Sequence, residues 1–334
     1  MKRAWPFFLV AAVLAVLPMF SFSIPFLLPG NVDSAGTLQT LAVALVLAGL
    51  AMSYDILFGY TGQLSFGHAL PFALGVYGTN LFMIHFEWPY FVALAAAVVG
   101  TGLLMAVLGA VALRATGVAF AMVTLAFAEA FHLLVAIDPF RIFGREEGLA
   151  LASTHVPDMF RGVVNTRNVY WLTLAVVVLV FIIARRVVGS RAGHVFQAIR
   201  ENEPRVEMIG LRPFGFKLSS FIASTTLAAL MGGIQLLVVR GAGIGVTTAT
   251  FTISVVVMVV LGGVGKLWGA ALGGFVYGIL TLRLSAVSGS DFVSGLPDWI
   301  GKPLSEPLFV LGVLFVLLVL YAPGGLSSLG SRRR

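Results

Sequence analysis

Long apolar segments recur along most of this chain, and they constrain its fold more than any other feature. Two of them, residues 37–58 and 69–86, are each close to the roughly 20 residues that a helix needs to cross a bilayer. Hydrophobic residues make up 59% of the sequence and charged residues only 10%, whereas soluble domains carry roughly 25% charged residues. Because a soluble core cannot absorb this much apolar surface, the sequence predicts an integral membrane protein.

The apolar segments predict an all-α bundle of about ten transmembrane helices, forming a single domain over residues 1–334. Segments eight and nine are separated by almost nothing, so they could instead form one re-entrant hairpin. The first segment also has features of a signal peptide, since Lys2 and Arg3 precede its apolar run. The ten predicted segments are 5–24, 37–58, 69–86, 89–113, 117–137, 169–184, 218–239, 250–265, 267–284 and 306–322.

The distribution of lysine and arginine predicts how the chain is oriented. Ten crossings place both termini on one side, and if that side is the cytoplasm, fourteen of the 21 basic residues lie in inner segments. This bias agrees with the positive-inside rule. It predicts cytoplasmic termini, a long cytoplasmic loop at 185–217 and a periplasmic loop at 138–168. The formal net charge of +7 therefore reflects topology, and no nucleic-acid partner is expected.

One polar stretch, GYTGQLSFGH at 59–68, interrupts the apolar sequence. Irregular polar backbone within a membrane is tolerated only where protein or a water-filled cavity satisfies its hydrogen bonds. Broken segments of this kind often lie where a transporter handles its substrate. Gln63, Ser65 and His68 are therefore candidate residues of a substrate pathway. The alternative is an ordinary cytoplasmic turn, in which His68 only caps the following helix.

The pattern of this stretch recurs once near the other end of the chain. Residues 59–64 and 262–267 both read G-x-x-G-[QK]-L, and both join two apolar segments. Internal duplication is common in transporters. On the predicted topology both copies face inward, which indicates a parallel repeat.

Three ionisable residues lie inside or close to the predicted spans. Intramembrane ionisable groups are costly and usually functional. Asp55, near the inner end of the second span, could bond the glycine hairpin or contact substrate. Glu129 and His132 are three residues apart on one helix face. They could form a buried pair, a proton relay, a charged patch near the outer exit or part of the lining of the pathway.

Within the inner loop, the residues around 204–209 predict a short amphipathic helix outside the membrane. Asn202 or Glu203 could cap its start, Pro204 suits its first position, and Gly210 suits its end. Val206 and Ile209 lie three apart and would form one apolar face. Such a helix could dock in a groove of a partner protein, or it could rest on anionic lipid.

The chain offers no chemistry for an enzyme. It has no cysteine, and it contains neither H-E-x-x-H nor G-x-S-x-G. Gly265-Lys266 resembles the end of a phosphate-binding loop, but Leu267 stands where that loop needs serine or threonine. We therefore expect no catalytic residues, metal or cofactor. If ATP drives transport, another chain hydrolyses it.

Four segments together resemble the permease subunits of ABC importers for branched-chain amino acids, most closely the LivM-type half of the permease pair. The similarity extends over nearly the whole chain, with the motifs in the same order. The segments are GYTGQLSFGHA at 59–69, RATGVAFAMVTLAFAEAF at 114–131, QAIRENEPRVEMIGLRPFGFKLSSFIAS at 197–224 and VLGGVGKLWGAALGG at 260–274.

The resemblance implies a type II-like ABC importer permease in a bacterial inner membrane. It implies four further kinds of contact: a second, related permease, two cytoplasmic ATP-binding subunits, a periplasmic substrate-binding protein and membrane lipid. Similar permeases serve urea, short amides or aromatic acids, and an ion-coupled secondary transporter using Asp55, Glu129 and His132 is a further alternative. The resemblance also implies an ATPase-coupling segment, in which the candidate residues are Arg200, Glu201, Asn202, Glu203, Pro204, Val206, Ile209 and Gly210.

This sequence departs from the family inside the coupling segment. Where relatives usually carry two alanines after the glutamate, it has Pro204, Arg205 and Val206. We expect the docking role to survive this change, while the detailed contacts of relatives do not transfer.

Overall fold

A computed structural model describes residues 5–21, 30–288, 309, 312–313, 316, 320 and 324–329. These residues are mainly α-helical, and they include one antiparallel pair of two-residue strands, β1 (Leu149–Ala150) and β2 (Gly241–Ala242). The helices are α1 Trp5–Val16, α2 Ala35–Asp55, α3 Ala69–Phe86, α4 Tyr90–Ala112, α5 Val118–Ile137, α6 Thr166–Val188, α7 Arg191–Met208, α8 Pro213–Val239, α9 Ala249–Gly262, α10 Leu267–Ser288 and α11 Leu326–Leu329.

Shorter helical turns complete the described elements. A π-helical turn, Ile56–Tyr60, continues α2 without interruption. π-turns are rare and are found frequently at functional sites. The 3-10 turns are Leu17–Met19, Arg145–Glu147, Ser153–His155, Asp158–Phe160 and Ile244–Thr247.

Among the described residues, six helices are long and apolar enough to cross a membrane. They are α2 with its π-turn, α3, α4, α5, α6 and α8. The 14 residues of α9 form a helix about 21 Å long, which is shorter than the roughly 30 Å of hydrocarbon in a bilayer. The predicted first segment, 5–24, extends beyond the observed helix, because α1 ends at Val16 and a 3-10 turn, Leu17–Met19, follows it. Most of the predicted tenth segment, 306–322, lies outside the described residues; those that are described, 309, 312–313, 316 and 320, are helical.

The centre of the bundle is α2, which is buried along most of its length. It packs most extensively against α10, and also against α6 and α8. A Cβ atom on Gly278 of α10 would lie 2.8 Å from the Cα atom of Ala44 in α2. Small residues at this crossing therefore allow the two backbones to approach closely, as is common between membrane helices.

Asp138 organises the first turn of the segment between α5 and α6. The carboxylate of Asp138 accepts three backbone hydrogen bonds, from Ile142 at 2.8 Å and from Phe143 and Gly144 at 3.0 Å each. Burial alone would raise the pKa of Asp138, but these three N–H donors and the nearby Arg145 outweigh it and hold the pKa below its ordinary value. The charged form of Asp138 therefore stabilises this turn.

Candidate functional site

The glycine-rich stretch forms an irregular segment, residues 61–68, that runs back along the last turns of α2. Its residues pair with α2 in antiparallel order, so the segment enters the bundle before α3 begins at Ala69. Three hydrogen bonds define this course: Gln63 N to Leu57 O at 3.1 Å, Tyr54 Oη to Ser65 O at 2.9 Å, and His68 Nε2 with Ser53 Oγ at 3.2 Å.

Hydroxyl groups satisfy the backbone donors at the end of the irregular segment. The N–H of Phe66 donates to Thr124 Oγ1 of α5 at 3.2 Å, and the N–H of Ala69 donates to Thr252 Oγ1 of α9 at 2.9 Å. The N–H of Gly67 donates to Ser65 Oγ at 3.2 Å. Non-helical backbone inside the bundle is thus paired with protein groups, as a membrane interior requires. These three N–H groups are consequently not free to bind a substrate carboxylate.

Two side chains of the irregular segment keep unpaired polar atoms although they are buried. Ser53 Oγ donates its single proton to Leu50 O at 2.7 Å, so it accepts from Nε2–H of neutral His68. Nδ1 of His68 is then an acceptor without a partner, and both polar atoms of the Gln63 amide are also unpaired in the described structure. His68 occupies the N-cap position of α3, but its side chain makes no capping hydrogen bond there.

The carboxylate of Asp55 packs against Gly59 of the first glycine motif and accepts a hydrogen bond from the second. Its side chain is fully buried, and Oδ1 accepts a hydrogen bond from the backbone N–H of Gly265 at 2.8 Å. Oδ2 has no hydrogen-bond partner, and Arg200 lies close enough to interact with the carboxylate electrostatically. Asp55 therefore makes a structural hydrogen bond to a glycine loop, as one of the two alternatives expected, but the loop is the second one, at Gly265, and not the hairpin at 59–68.

The structure does not pair Glu129 with His132, so that sequence-based alternative was wrong. The hydroxyl of Thr247 donates to Ile244 O at 2.7 Å and accepts from Nδ1–H of His132, also at 2.7 Å. Glu129 is half-buried and makes no hydrogen bond or ion pair within the described part of the chain. Glu129 and His132 share a helix face, but the His132 ring pairs with Thr247, a residue outside α5, and not with Glu129.

Glu129 lies on an exposed stripe of α5. Met122, Leu133 and Ile137 are exposed at helical spacing from it, so the carboxylate is at the middle of an otherwise apolar face. This face, defined by Met122, Glu129, Leu133 and Ile137, is called the α5 stripe below.

The predicted inner loop 185–217 is largely helical. Helix α7 fills most of it. Ser190 caps the start of this helix by accepting from the N–H of Gly193 at 3.2 Å. The helix breaks at Asn202, where φ is −162° and ψ is 97°. The side chain of Asn202 then accepts from the N–H of Arg205 at 3.0 Å and caps a second, short helical piece. We call residues 203–208 the short helix.

The short helix ends as predicted, at Gly210. The φ of Gly210 is +85°, and the N–H groups of Gly210 and Leu211 return to Glu207 O at 2.9 Å and Val206 O at 3.3 Å. This pair of hydrogen bonds is a Schellman motif. A short helix at the predicted place is therefore confirmed, over residues 203–208 instead of 204–209.

The predicted apolar face of the short helix was wrong. Val206 is only 2% exposed and packs inward, whereas Ile209 is 70% exposed. Ile209 follows the last helical residue, so helical spacing no longer relates it to Val206. The exposed apolar side chains here are instead Met208 and Ile209, which are adjacent. Glu201, Asn202 and Pro204 are also exposed.

Two contacts tie the two parts of α7 to different elements. Arg200, before the break, donates to the backbone carbonyl of Gly59 at the end of the π-turn. Glu203, after the break, forms an ion pair with Lys217 of α8. The candidate coupling residues are thus divided between two attachment points.

The sequence reasoning missed the hydroxyl residues that hold the site together. Thr124, Thr252 and Ser53 all lie inside apolar helices and are buried. Isolated serine and threonine residues in apolar helices commonly hydrogen-bond across membrane helix interfaces, so this signal was available. The described residues contain no group of three or more His, Asp or Glu side chains that could hold a metal ion.

A bundle of long apolar helices around a buried, irregular polar segment defines a multi-pass membrane protein of the transport class. Residues 36–321 match the family described as the permease component of the branched-chain amino acid transport system. The chain therefore belongs to that family of transport permeases and is not an enzyme.

Three relatives support this assignment. The high-affinity branched-chain amino acid transport system permease protein LivM of Escherichia coli (strain K12) is 24% identical over 88% of this chain and 70% of the relative. The protein of the same description from Salmonella typhimurium (strain LT2) is 25% identical over 94% of this chain and 74% of the relative. A probable branched-chain amino acid transport permease protein LivM of Methanocaldococcus jannaschii is 28% identical over 47% of this chain and 45% of the relative. No solved structure matches the chain.

Proposed function

We propose that this chain is one of two permease subunits in an ATP-driven importer for branched-chain or other hydrophobic amino acids. The observation that carries the proposal is the family match over residues 36–321. The names of the relatives support the substrate class. In this proposal the chain lies in a bacterial inner membrane with both termini in the cytoplasm, beside a second, related permease.

We assign the α5 stripe to the surface that meets the second permease or the pathway between the two. An acidic side chain at the centre of a membrane helix costs about 2.5–3.5 kcal/mol on insertion scales, so such residues face protein or water. Glu129 has no partner among the described residues of this chain. A polar group of the second permease, or water in the pathway, would therefore meet its carboxylate.

The irregular segment 61–68 supplies the polar atoms that substrate could meet when the bundle opens. Nδ1 of His68 and the amide of Gln63 are unpaired and buried in this state. Ser65 is occupied by its own backbone turn, which makes it the weakest of the three candidates. With no fixed ionic cage, the pathway would bind substrate weakly and leave specificity to the periplasmic binding protein.

The short helix is proposed as the docking element for a cytoplasmic ATP-binding subunit. It is capped at both ends and presents the exposed side chains of Met208 and Ile209. An apolar pair projecting from a rigid helix end suits a groove on a partner protein. Because this chain has no phosphate-binding loop of its own, the energy of ATP would enter the permease here.

Purification from the native membrane in mild detergent tests this proposal. We expect a second multi-span permease and an ATP-binding subunit to be retained in near-equal amounts. The retained complex should then take up branched-chain amino acids into liposomes when the binding protein and ATP are supplied. A chain that purifies alone and moves solute without ATP would overturn the proposal and favour the ion-coupled alternative. ATP-driven uptake of urea, amides or aromatic acids instead would overturn only the substrate assignment.

A further inference from the structure

The two glycine motifs meet at the side chain of Arg200. Gly62 and Gly265 are the second glycines of the two G-x-x-G-[QK]-L copies, and their φ angles are nearly the same, +76° and +77°. Residues other than glycine rarely adopt this left-handed conformation. The sequence repeat is therefore also a repeat of backbone conformation at this position.

Arg200 packs against both of these glycines. A Cβ atom on Gly62 would lie 2.9 Å from Cγ of Arg200, and a Cβ atom on Gly265 would lie 2.9 Å from its Nη1. The same guanidinium group donates to the carbonyl of Gly59. The aliphatic part of the side chain thus crosses the first motif, and its charged end lies between the first motif and the second.

The two loops also contact each other beneath Arg200. A Cβ atom on Gly59 would lie 2.6 Å from the backbone N of Gly265. The N–H of Gly265 donates to Asp55 Oδ1. One arginine on α7 therefore covers a junction at which the end of α2 and the start of α10 are already joined.

We propose that Arg200 is a positioning residue that clamps α7 to both glycine loops, so that movement of α7 displaces the ends of α2 and α10 together. This inference rests on the proposed function, because it concerns how ATP-driven motion reaches the bundle. The clamp is two residues before the break at Asn202, and the ion pair of Glu203 with Lys217 lies just after it. The break separates an attachment to the glycine loops from an attachment to α8.

The geometry also accounts for the glycine at the second position of each motif. A larger residue at Gly62 or Gly265 would be strained by its positive φ and would press on Arg200. The two effects can be separated, because only the second depends on the arginine side chain.

The test uses the purified complex in liposomes, with the amount of substrate imported per ATP hydrolysed as the readout. A hydrogen bond to a charged donor changes an equilibrium by about tenfold or more, so we expect Arg200→Ala to lower this ratio by about tenfold. Arg191→Ala removes the same charge from the exposed start of α7 and should leave the ratio unchanged. Arg200→Lys retains one donor for Gly59 O and should restore part of the ratio. A purely structural defect would instead reduce assembly, uptake and hydrolysis together.

Gly265→Ala provides the second, independent arm. We expect this variant to lower the import ratio. We expect the double variant with Arg200→Ala to lose less than the sum of the two single losses, because the contact with the arginine is already gone and only the strain at the positive φ of Gly265 remains. Fully additive losses would overturn the clamp. An unchanged ratio in Arg200→Ala would do the same, provided that the wild-type complex shows ATP-driven uptake. If the wild-type complex shows none, the proposed function itself fails.

Discussion

Replacing Thr252 with valine should destabilise the protein by removing the acceptor that α9 offers to the start of α3. Thr252 is fully buried, and its Oγ1 accepts from the N–H of Ala69 at 2.9 Å. Valine has nearly the same shape, so the change creates little cavity and acts mainly through the lost hydrogen bond. Ala69 is also fully buried, and its N–H would then have no acceptor.

Two free energies bear on the size of this destabilisation, one for hydrogen bonds between membrane helices and one for a buried donor left without an acceptor. Hydrogen bonds between membrane helices average about 0.6 kcal/mol in double-mutant cycles. An unsatisfied buried donor costs about 1–3 kcal/mol. The second value governs here, because Ala69 N–H belongs to a helix start that no backbone carbonyl serves, and we expect a loss of about 1–2 kcal/mol.

Reversible unfolding by SDS titration in mixed micelles would measure the loss. Thr250→Val is the matched control, because Thr250 is two residues away on α9 and is exposed. Thr252→Ser keeps a hydroxyl and should remain close to the wild-type stability. If Thr252→Val unfolds at the same SDS fraction as the Thr250→Val control, another acceptor serves Ala69, and the assignment of hydroxyl partners to the irregular segment is incorrect.

Three further predictions concern the two ends and the middle of the bundle. Asp138→Asn should make the stability of the protein less dependent on acid pH. The native pKa of Asp138 lies below its unfolded value of about 3.9. The carboxylate therefore stabilises the fold above that pH, and this stabilisation is lost as the pH falls through the native pKa. Thermal unfolding between pH 7 and pH 3 should therefore show a smaller decline for the variant than for the wild type. Glu129→Leu should lower uptake by about tenfold, and Glu129→Gln should lower it less, because glutamine can still pair with a polar group. Equal uptake by the wild type and both variants would show that Glu129 is not part of the pathway. Changing Met208 and Ile209 together to glutamate should abolish co-purification of the ATP-binding subunit and leave the second permease bound, and retention of that subunit would contradict docking at this site.

Local features were predictable wherever neighbouring residues decide the structure. Asn202 starts the short helix and Gly210 ends it, because a capping side chain and a left-handed glycine act within a few residues. The polar character of segment 59–68 likewise indicated irregular backbone, because a glycine-rich polar stretch cannot continue an apolar helix.

Contacts over long sequence distances were not predictable in the same way. Thr252 is 183 residues from Ala69, and Gly265 is 210 residues from Asp55. Periodicity relates residues on one helix, but it does not say which other helix faces them. His132 shows this limit, because its partner Thr247 lies 115 residues away in a 3-10 turn.

The hydroxyl-paired backbone of the irregular segment has a mechanical consequence. A helix or sheet is held by a continuous series of backbone hydrogen bonds. This segment and the first residue of α3 are instead held by individual hydrogen bonds to α2, α5 and α9. If α5 slides relative to α9, the segment must move with one of them or expose an unpaired amide, at about 1–3 kcal/mol for each broken bond. The segment therefore couples the positions of three helices. It opposes small displacements between them, and its hydrogen bonds break one at a time when the helices move further apart.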